Sequence, residues 1–136
     1  MASLVLDSSI AAVWCFPDEE TSYIRAVLQF VATPSEAVAP RLWAYEIRNS
    51  VLLGVRRKRI TQSHANDFLD TLNSLPIRLA DPLSYDAVFA LASRYALTVY
   101  DAAYLDMAVR EALPIATLDG ALMRAAEQSG VAVFKP

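Results

Sequence analysis

Short apolar runs alternate with longer stretches of helical periodicity along the chain. The apolar runs predict five buried strands, at 4–6, 37–40, 76–80, 114–118 and 131–134. Between them, apolar residues recur about every three to four positions, which predicts helices at 10–14, 19–31, 43–55, 61–72, 84–94, 101–111 and 119–128. Thr33-Pro34-Ser35 is expected to break the second helix. This alternation favours an α/β fold in which helices cover both faces of a parallel five-stranded sheet.

The length of 136 residues, without repeats or linkers, predicts a single domain over residues 1–136. Cys15 is the one cysteine, so an intramolecular disulfide is excluded and a reducing, cytoplasmic compartment is expected. The first strand is too short for a signal-peptide core, and no uncharged run approaches the ~18 residues that a membrane span needs. We therefore expect a soluble protein that does not insert into membranes.

The charge balance restricts the ways in which the chain can bind nucleic acid. Twelve basic and 15 acidic side chains give a net charge of −3, whereas bulk electrostatic binding of nucleic acid favours a basic surface. A nucleic-acid function would therefore need a local basic patch, or metal ions that neutralise the acidic groups.

Two aspartates come directly after predicted strands and open predicted helices. Asp7 comes after the first strand, and Asp119 comes after the fourth. The carboxyl ends of parallel strands share one edge of a sheet, and ligands bind at this edge in open α/β folds. Aspartate is also a good helix N-cap, so either acid taken alone has a structural explanation.

Helical geometry places Asp101 close to the same edge. Leu105 and Ala108 lie within about 40° of Asp101 around the helix, so Asp101 sits above the apolar stripe that faces the sheet. Asp106 lies about 140° away from Asp101, and we expect it on the solvated surface.

Glu46 has a similar placement on an earlier helix. It lies about 40° from Ser50 and 60° from Trp43, at the margin of the buried face. A glutamate at such a margin needs a partner or a cation, and a salt bridge to an arginine is the simpler alternative.

Four acids at one edge cannot all stay ionised without compensation, because like charges a few ångströms apart repel. Mg²⁺ resolves the conflict, since it binds oxygen ligands from one or two carboxylates and keeps several waters. Such a site can activate water and neutralise a phosphodiester oxyanion. Ser9 and Thr117 add hydroxyls that can orient a carboxylate or a water, although both residue types are also common in turns and strands.

Four segments in order resemble the acidic motifs of PIN-domain ribonucleases, and specifically VapC-type toxins of bacterial and archaeal toxin–antitoxin pairs. They are DSSIAAVW from Asp7, Glu46 with Asn49 three residues later, YDAAYL from Tyr100, and ATLD ending at Asp119. The resemblance extends over essentially the whole chain. It implies a PIN-like three-layer α/β/α fold.

The resemblance also implies an activity and partners. Family members are Mg²⁺- or Mn²⁺-dependent endoribonucleases that cleave RNA to a 5′-phosphate and a 3′-hydroxyl. They form homodimers and larger assemblies with a cognate antitoxin protein. Their acidic quartet corresponds here to Asp7, Glu46, Asp101 and Asp119, of which Asp7, Asp101 and Asp119 would bind the metal, with Ser9 and Thr117 as supporting hydroxyls. Many relatives carry lysine where this chain has Val13, so a substrate contact by that lysine is not expected here.

A basic cluster comes after the third long helix. Arg56, Arg57, Lys58 and Arg59 would contact RNA phosphates, or they form a solvated helix end that is favoured by the helix dipole.

Three further features carry weaker signals. His64 is expected on the surface of its helix, because the chain has no second histidine, nor a cysteine pair, to complete a triad or a zinc site. Cys15 is expected in the core or an interface. Trp14, Phe16 and Met107 are either core residues or exposed anchors for a partner.

The alternative to an enzyme is a non-catalytic acidic metal-binding domain with a regulatory or interaction role. A phosphoacceptor receiver would need an acidic pair before its aspartate and a lysine after a late strand, and neither is evident. A phosphatase of the haloacid dehalogenase type would need a second aspartate where this chain has Ser9.

Overall fold

A computed structural model describes residues 2–32 and 36–136. The expected helix break at 33–35 lies outside the described residues. The strands are β1 (Ala2–Leu6), β2 (Glu36–Pro40), β3 (Ile77–Ala80) and β4 (Ile115–Ala116). The helices are α1 (Ser8–Ala11), α2 (Ser22–Ala32), α3 (Leu42–Arg56), α4 (Gln62–Asn73), α5 (Tyr85–Tyr95), α6 (Val99–Glu111) and α7 (Gly120–Gln128), with short 3₁₀ turns at Ala12–Cys15 and Pro17–Glu19.

The four strands form one parallel sheet in the order β3-β2-β1-β4. Val5 in β1 pairs with Val38 of β2 on one side and with Ile115 of β4 on the other. The predicted α/β fold with a parallel sheet is therefore confirmed, and β1 lies inside the sheet with its carboxyl end between those of β2 and β4.

The prediction of a fifth strand at 131–134 is wrong for the described residues. Val133 makes an isolated parallel bridge to Ile115, and no longer ladder forms. The partner strand β4 is itself shorter than predicted, because Pro114 has no backbone N–H and the amides of Leu118 and Asp119 donate to side-chain hydroxyls instead of to a neighbouring strand. The Ile115 amide donates to the Ala132 carbonyl and the Phe134 amide donates to the Ile115 carbonyl, so the segment lies beside β4 but adds one residue pair to the sheet and not a strand.

The core is built on β1, and Leu4, Val5 and Leu6 are completely buried. Helix α6 packs across β1, β2 and β4, and α2 packs against β2. Phe16 and Met107 are buried and Trp14 is half-buried against the same core, so these three residues are core residues in this chain. Cys15 is also buried, and burial raises the pKa of its thiol.

Helix starts depend on capping groups that the apolar pattern does not show. Helix α6 begins at Val99 and not at Asp101, because the Thr98 hydroxyl caps it by accepting the Asp101 amide at 3.1 Å. Ser84 and Thr61 cap α5 and α4 as predicted. Across residues 2–32 and 36–136, no helix is both long and apolar enough to cross a lipid bilayer.

Candidate active site

Four acidic side chains come from segments at the carboxyl edge of the sheet. Asp7 comes directly after β1, and Asp119 comes after β4. Glu46 lies in the first turns of α3, the helix after β2, and Asp101 lies in the first turn of α6. We refer to these four residues as the acidic pocket.

Asp7 is held by hydroxyls and does not act as a helix cap. Its side chain makes no capping hydrogen bond to α1, although it occupies the N-cap position. Ser9 Oγ and Thr117 Oγ1 each donate to Asp7 Oδ2 at 2.7 Å. Asp7 is 4% exposed and Thr117 is 1% exposed, so the hydrogen bond between them is shielded from solvent.

The same two hydroxyls also hold the loop after β4. Ser9 Oγ accepts the Leu118 amide, and Thr117 Oγ1 accepts the Asp119 amide, both at 3.0 Å. Asp119 Oδ1 in turn accepts the amide of Leu122 at 3.0 Å and caps α7. Asp119 therefore caps a helix and also belongs to the acidic pocket. The sequence alone left open which of these two roles it has.

Glu46 has two partners that the sequence did not indicate. The Tyr104 hydroxyl donates to Glu46 Oε1 at 2.7 Å, and Ser8 Oγ donates to the same oxygen at 3.1 Å. No arginine pairs with Glu46 in the part of the chain that the structure describes, so the alternative of a salt bridge to an arginine is not found there. Two sequence features could have identified these partners: Tyr104 lies one helical turn after Asp101, and Ser8 lies beside Asp7.

The electrostatics show that the four carboxyl groups influence one another. Burial, together with the smaller effects of the charges of Asp119, Asp7 and Glu46, raises the pKa of Asp101 to about 6. Burial also raises the pKa of Glu46, and the charge of Asp7 adds to this, although the hydrogen bonds from Tyr104 and Ser8 oppose the shift. Within the described chain, none of the four acids has an ion-pair partner.

Three of the acids use one oxygen for the protein and leave the other free of protein donors. Asp7 Oδ2, Glu46 Oε1 and Asp119 Oδ1 accept the hydrogen bonds described above. Among residues 2–32 and 36–136, nothing donates to the second oxygen of these groups. These second oxygens are the atoms that are left to accept a cation, water or hydroxyl.

The donor set suits a hard divalent cation that keeps much of its water. Carboxylate and hydroxyl oxygens are the ligands of Mg²⁺, which needs only one or two carboxylates beside its waters. In the described residues no group of three or more His, Cys, Asp or Glu side chains is placed to hold a metal ion. The residues therefore fit a hydrated cation bound through few direct ligands, and they do not form a closed cage.

A curated relative decides the family. Ribonuclease VapC3 of Pyrobaculum aerophilum is 33% identical to this chain over 121 residues, which cover 85% of this chain and 88% of the relative. The chain belongs to the VapC ribonuclease family. No family model matches it.

Solved structures agree with a VapC fold. PAE2754 from Pyrobaculum aerophilum superposes with a TM-score of 0.73 at 20% identity, over 91% of this chain and 84% of that one. A toxin–antitoxin complex from Klebsiella pneumoniae gives 0.60 at 17% identity, over 86% and 87% of the two chains. At these identities the likeness concerns the fold, and it confirms the fold that the sequence predicted for this VapC-family chain.

In this VapC-family chain the basic cluster is divided into two parts. Arg59 ion-pairs with Glu19 at 2.7 Å and with Asp18 at 3.2 Å, and its guanidinium lies 4.4 Å from the centre of the Phe16 ring. Arg59 would have to exchange these contacts to bind an RNA phosphate, and its role as an RNA contact stays a prediction. Arg56, Arg57 and Lys58 are exposed and have no ion-pair partner within the described residues.

The sequence predicts that Asp106 and His64 are both exposed, and this holds for His64 alone. Asp106 is not a solvated surface residue, because its side chain is only 13% exposed and lies 3.6 Å from Arg110, one turn later on α6. His64 is exposed as predicted, and its Nε2 lies 2.8 Å from the Cys15 carbonyl oxygen, which ties α4 to the 3₁₀ turn at Ala12–Cys15.

Proposed function

We propose that this VapC-family chain is a Mg²⁺-dependent endoribonuclease and the toxin of a type II toxin–antitoxin pair, and that it hydrolyses RNA phosphodiester bonds in the acidic pocket. The observation that carries the proposal is that Asp7, Glu46 and Asp119 lie close enough to Asp101 for their charges to add to the effect of burial on its pKa, with no cationic side chain paired to the four acids in the described chain. Such a concentration of charge disfavours the folded state unless a cation binds there. The name of the VapC3 relative supports a ribonuclease.

Asp7, Asp101 and Asp119 are the proposed ligands of Mg²⁺ or Mn²⁺, either directly or through water. When bound, the cation would lower the pKa of a coordinated water and neutralise charge on the phosphodiester. Glu46 completes the pocket, and its Oε2 remains available to accept a hydrogen bond from a water or a ribose hydroxyl.

The residues of the chain contribute by positioning these groups in advance. Ser9 and Thr117 fix Asp7 Oδ2, so Asp7 Oδ1 keeps one direction when the ligand arrives. Because the pocket is anionic, it repels an RNA phosphate until the cation is in place. Arg56, Arg57 and Lys58 are the exposed cations that would hold the RNA phosphates outside the pocket.

An antitoxin and a second copy of the chain are the proposed protein partners. The Klebsiella relative was solved as a toxin–antitoxin complex, which supports an antitoxin here. For the second copy, the structure offers an apolar face that consists of Leu83, Tyr85, Phe89, Val99 and Tyr100. Leu83, Tyr85 and Phe89 are 86%, 76% and 67% exposed.

The apolar face is large enough to support a dimer. With roughly 150–250 Å² for a whole aromatic side chain, its exposed area is on the order of 600 Å², close to the ~800 Å² that each partner contributes to a standard interface. Tyr85, Val99 and Tyr100 also line an apolar cavity of about 230 Å³ that continues to Leu42. In a two-fold interface the exposed rings of one copy would lie against the cavity of the other.

The direct test is cleavage of total cellular RNA by the purified chain with Mg²⁺ and again with excess chelator, together with mapping of the new 5′-phosphate ends. We expect cleavage that the chelator abolishes and that Asp7→Asn and Asp101→Asn each reduce by at least about 100-fold. Asp70→Asn, at an exposed acid on α4, is the matched control and should cleave like the wild type. Metal-dependent cleavage that survives Asp101→Asn would contradict the proposal.

One observation favours a version of the alternative, a non-catalytic regulatory or interaction domain that keeps the four acids without using them to bind a metal. It is the lack, among the described residues, of three side chains placed to hold a metal ion directly. Calorimetry with Mn²⁺ alone separates the two: the enzyme should bind Mn²⁺ through the acidic pocket, and binding should weaken in Asp101→Asn. A wild type that neither binds Mn²⁺ nor cleaves RNA would favour the alternative.

A further inference from the structure

Tyr104 is a buried tyrosine whose hydroxyl serves the acidic pocket. Its side chain is 0% exposed, and its hydroxyl donates to Glu46 Oε1 at 2.7 Å. Phenylalanine would fill the same volume without placing a polar group in the core. Since a buried hydroxyl is unfavourable unless it is hydrogen-bonded, the tyrosine at this position needs its contact with Glu46.

Ser8 makes the second contact to the same oxygen. Its hydroxyl donates to Glu46 Oε1 at 3.1 Å, and it adjoins Asp7 in the chain. Both donors converge on one oxygen of Glu46 and leave Oε2 without a donor from the described residues. A carboxylate held in this way has a fixed orientation and one free oxygen.

The two donors also connect the segments that carry the other acids. Tyr104 lies on α6 one turn after Asp101, and Ser8 opens α1 immediately after Asp7. Glu46 on α3 thus bridges α6 and the end of β1 through two hydroxyls. With the link from Thr117 to Asp7, hydrogen bonds join all the elements that line the pocket.

We propose that Tyr104 and Ser8 are positioning residues that fix the Glu46 carboxylate relative to Asp7 and Asp101 and thereby set the geometry in which the pocket binds its divalent cation and RNA. This inference rests on the proposed function. Neither residue touches the reacting atoms. Outer hydrogen-bond partners of metal-site residues typically change metal affinity or activity by about 10- to 100-fold when they are removed.

Three variants with one matched control test the proposal. Tyr104→Phe and Ser8→Ala each remove one donor to Glu46, and Ser8→Thr keeps the hydroxyl. Tyr23→Phe is the control. The Tyr23 hydroxyl donates to the Phe134 carbonyl at 2.8 Å, a similar distance, and this contact does not involve the acidic pocket. For each protein we would measure the melting temperature, Mn²⁺ affinity by calorimetry without RNA, and kcat and KM on an oligonucleotide that spans the mapped cleavage site.

We expect Tyr104→Phe and Ser8→Ala each to lower kcat about 10- to 100-fold with little change in KM, and to weaken Mn²⁺ binding. Ser8→Thr should recover most of the activity. Tyr23→Phe should lose stability to a similar extent as Tyr104→Phe, and yet keep wild-type kcat and Mn²⁺ affinity.

The outcomes separate this proposal from the proposed function. If the wild type cleaves RNA but Tyr104→Phe and Ser8→Ala keep kcat and Mn²⁺ affinity within about twofold, the positioning role is overturned while the nuclease stands. It is likewise overturned if Tyr23→Phe loses activity as strongly as Tyr104→Phe, since the effect would then be one of stability. If the wild type does not cleave RNA, the proposed function fails, and the Mn²⁺ affinities of the same variants still decide whether Tyr104 and Ser8 position the cation site.

Discussion

The hydroxyl of Thr117 donates to Asp7 Oδ2 at 2.7 Å, although the two residues lie 110 positions apart in the chain. Thr117 is the first residue after β4, and Asp7 is the first after β1, and the two strands are neighbours in the sheet. The same Thr117 oxygen accepts the Asp119 amide. Parallel pairing therefore brings the two acids to one edge of the sheet. It also places the Thr117 hydroxyl where it contacts both the Asp7 carboxylate and the Asp119 amide.

Thr117→Val should weaken both stability and activity. Valine has nearly the same shape, but it removes the donor to Asp7 and leaves the Asp119 amide without its acceptor. An unsatisfied buried group of this kind costs about 1–3 kcal/mol, which urea unfolding would measure. We expect RNA cleavage to fall as well, whereas Thr117→Ser should retain most of both properties. A valine variant with wild-type stability and activity would show that Ser9 alone suffices to hold Asp7.

Asp101→Asn should stabilise the metal-free protein while it abolishes cleavage. The pKa of Asp101 rises from 3.8 to about 6 on folding, so ionisation of this group destabilises the folded state. The gain in the free energy of unfolding of Asp101→Asn over the wild type should be absent below about pH 4, grow between pH 4 and 6, and stay constant above that range. After discounting for solvent screening, we expect it to reach about 1–2 kcal/mol.

The measurement is urea unfolding across this pH range in the presence of chelator, with Asp70→Asn as the control. Saturating Mn²⁺ should then raise the stability of the wild type more than that of Asp101→Asn, because the cation relieves the repulsion only where the carboxylate is present. An Asp101→Asn variant that is less stable than the wild type at pH 7 would contradict the unfavourable burial and charge repulsion that raise the pKa of Asp101.

Two glycines should respond differently to alanine. A Cβ atom at Gly54 would lie 2.6 Å from Phe16, whose ring is buried and lies beneath the Arg59 guanidinium, so the ring has little freedom to move. We expect Gly54→Ala to cost about 1–3 kcal/mol, as overpacked cores do. At Gly120 the nearest atom is the far end of the Arg124 side chain at 3.3 Å, so Gly120→Ala should be neutral or up to about 1 kcal/mol more stable. Equal melting temperatures for the two variants would show that Phe16 rearranges freely.

The order of elements and the place of the acids could be predicted because each depends on a local pattern. The run Leu4-Val5-Leu6 before Asp7 predicts a strand that ends at an acid, and parallel pairing then brings Asp7 and Asp119 to one edge. The residues that hold the acids could not be predicted in this way. Ser8 and Tyr104 meet Glu46 across separations of 38 and 58 residues, and no periodicity encodes a contact between side chains on different elements.

The surroundings of individual charged side chains could not be predicted from the sequence either. Arg59 belongs by composition to the basic cluster, yet the chain turns after α3, with Lys58 at a φ of 60°, and carries Arg59 back onto Phe16, Asp18 and Glu19. Asp106 is covered because Arg110 lies one turn away and compensates its charge. In both cases an ion-pair partner holds the charged side chain against the protein, although 39% of the Arg59 side chain stays exposed.

The division of the basic cluster predicts different effects on RNA binding. Arg57→Gln or Lys58→Gln removes an exposed cation and should weaken RNA binding while reducing the slope of log K against log salt by about one. Arg59→Gln should leave RNA affinity unchanged and lower the melting temperature, since it loses two ion pairs and the contact with Phe16. Fluorescence anisotropy on an Asp101→Asn background, where cleavage does not interfere, would measure both effects. Equal losses of affinity in Arg57→Gln and Arg59→Gln would show that Arg59 leaves its ion pairs to bind RNA.

The apolar face predicts a dimer that a single charge should disrupt. Phe89 is 67% exposed, one turn after Tyr85, so Phe89→Lys places an ammonium group within the apolar face in both copies. A hot-spot aromatic anchor contributes about 2 kcal/mol or more, so loss of one anchor from each copy costs about 4 kcal/mol and should weaken the dimer roughly 1,000-fold. Analytical ultracentrifugation should show a dimer for the wild type and a monomer for Phe89→Lys. Val109→Lys, at an apolar residue that is 48% exposed and lies towards the end of α6, should remain a dimer. A monomeric wild type, or a Phe89→Lys variant that dimerises like Val109→Lys, would assign the apolar face to another partner.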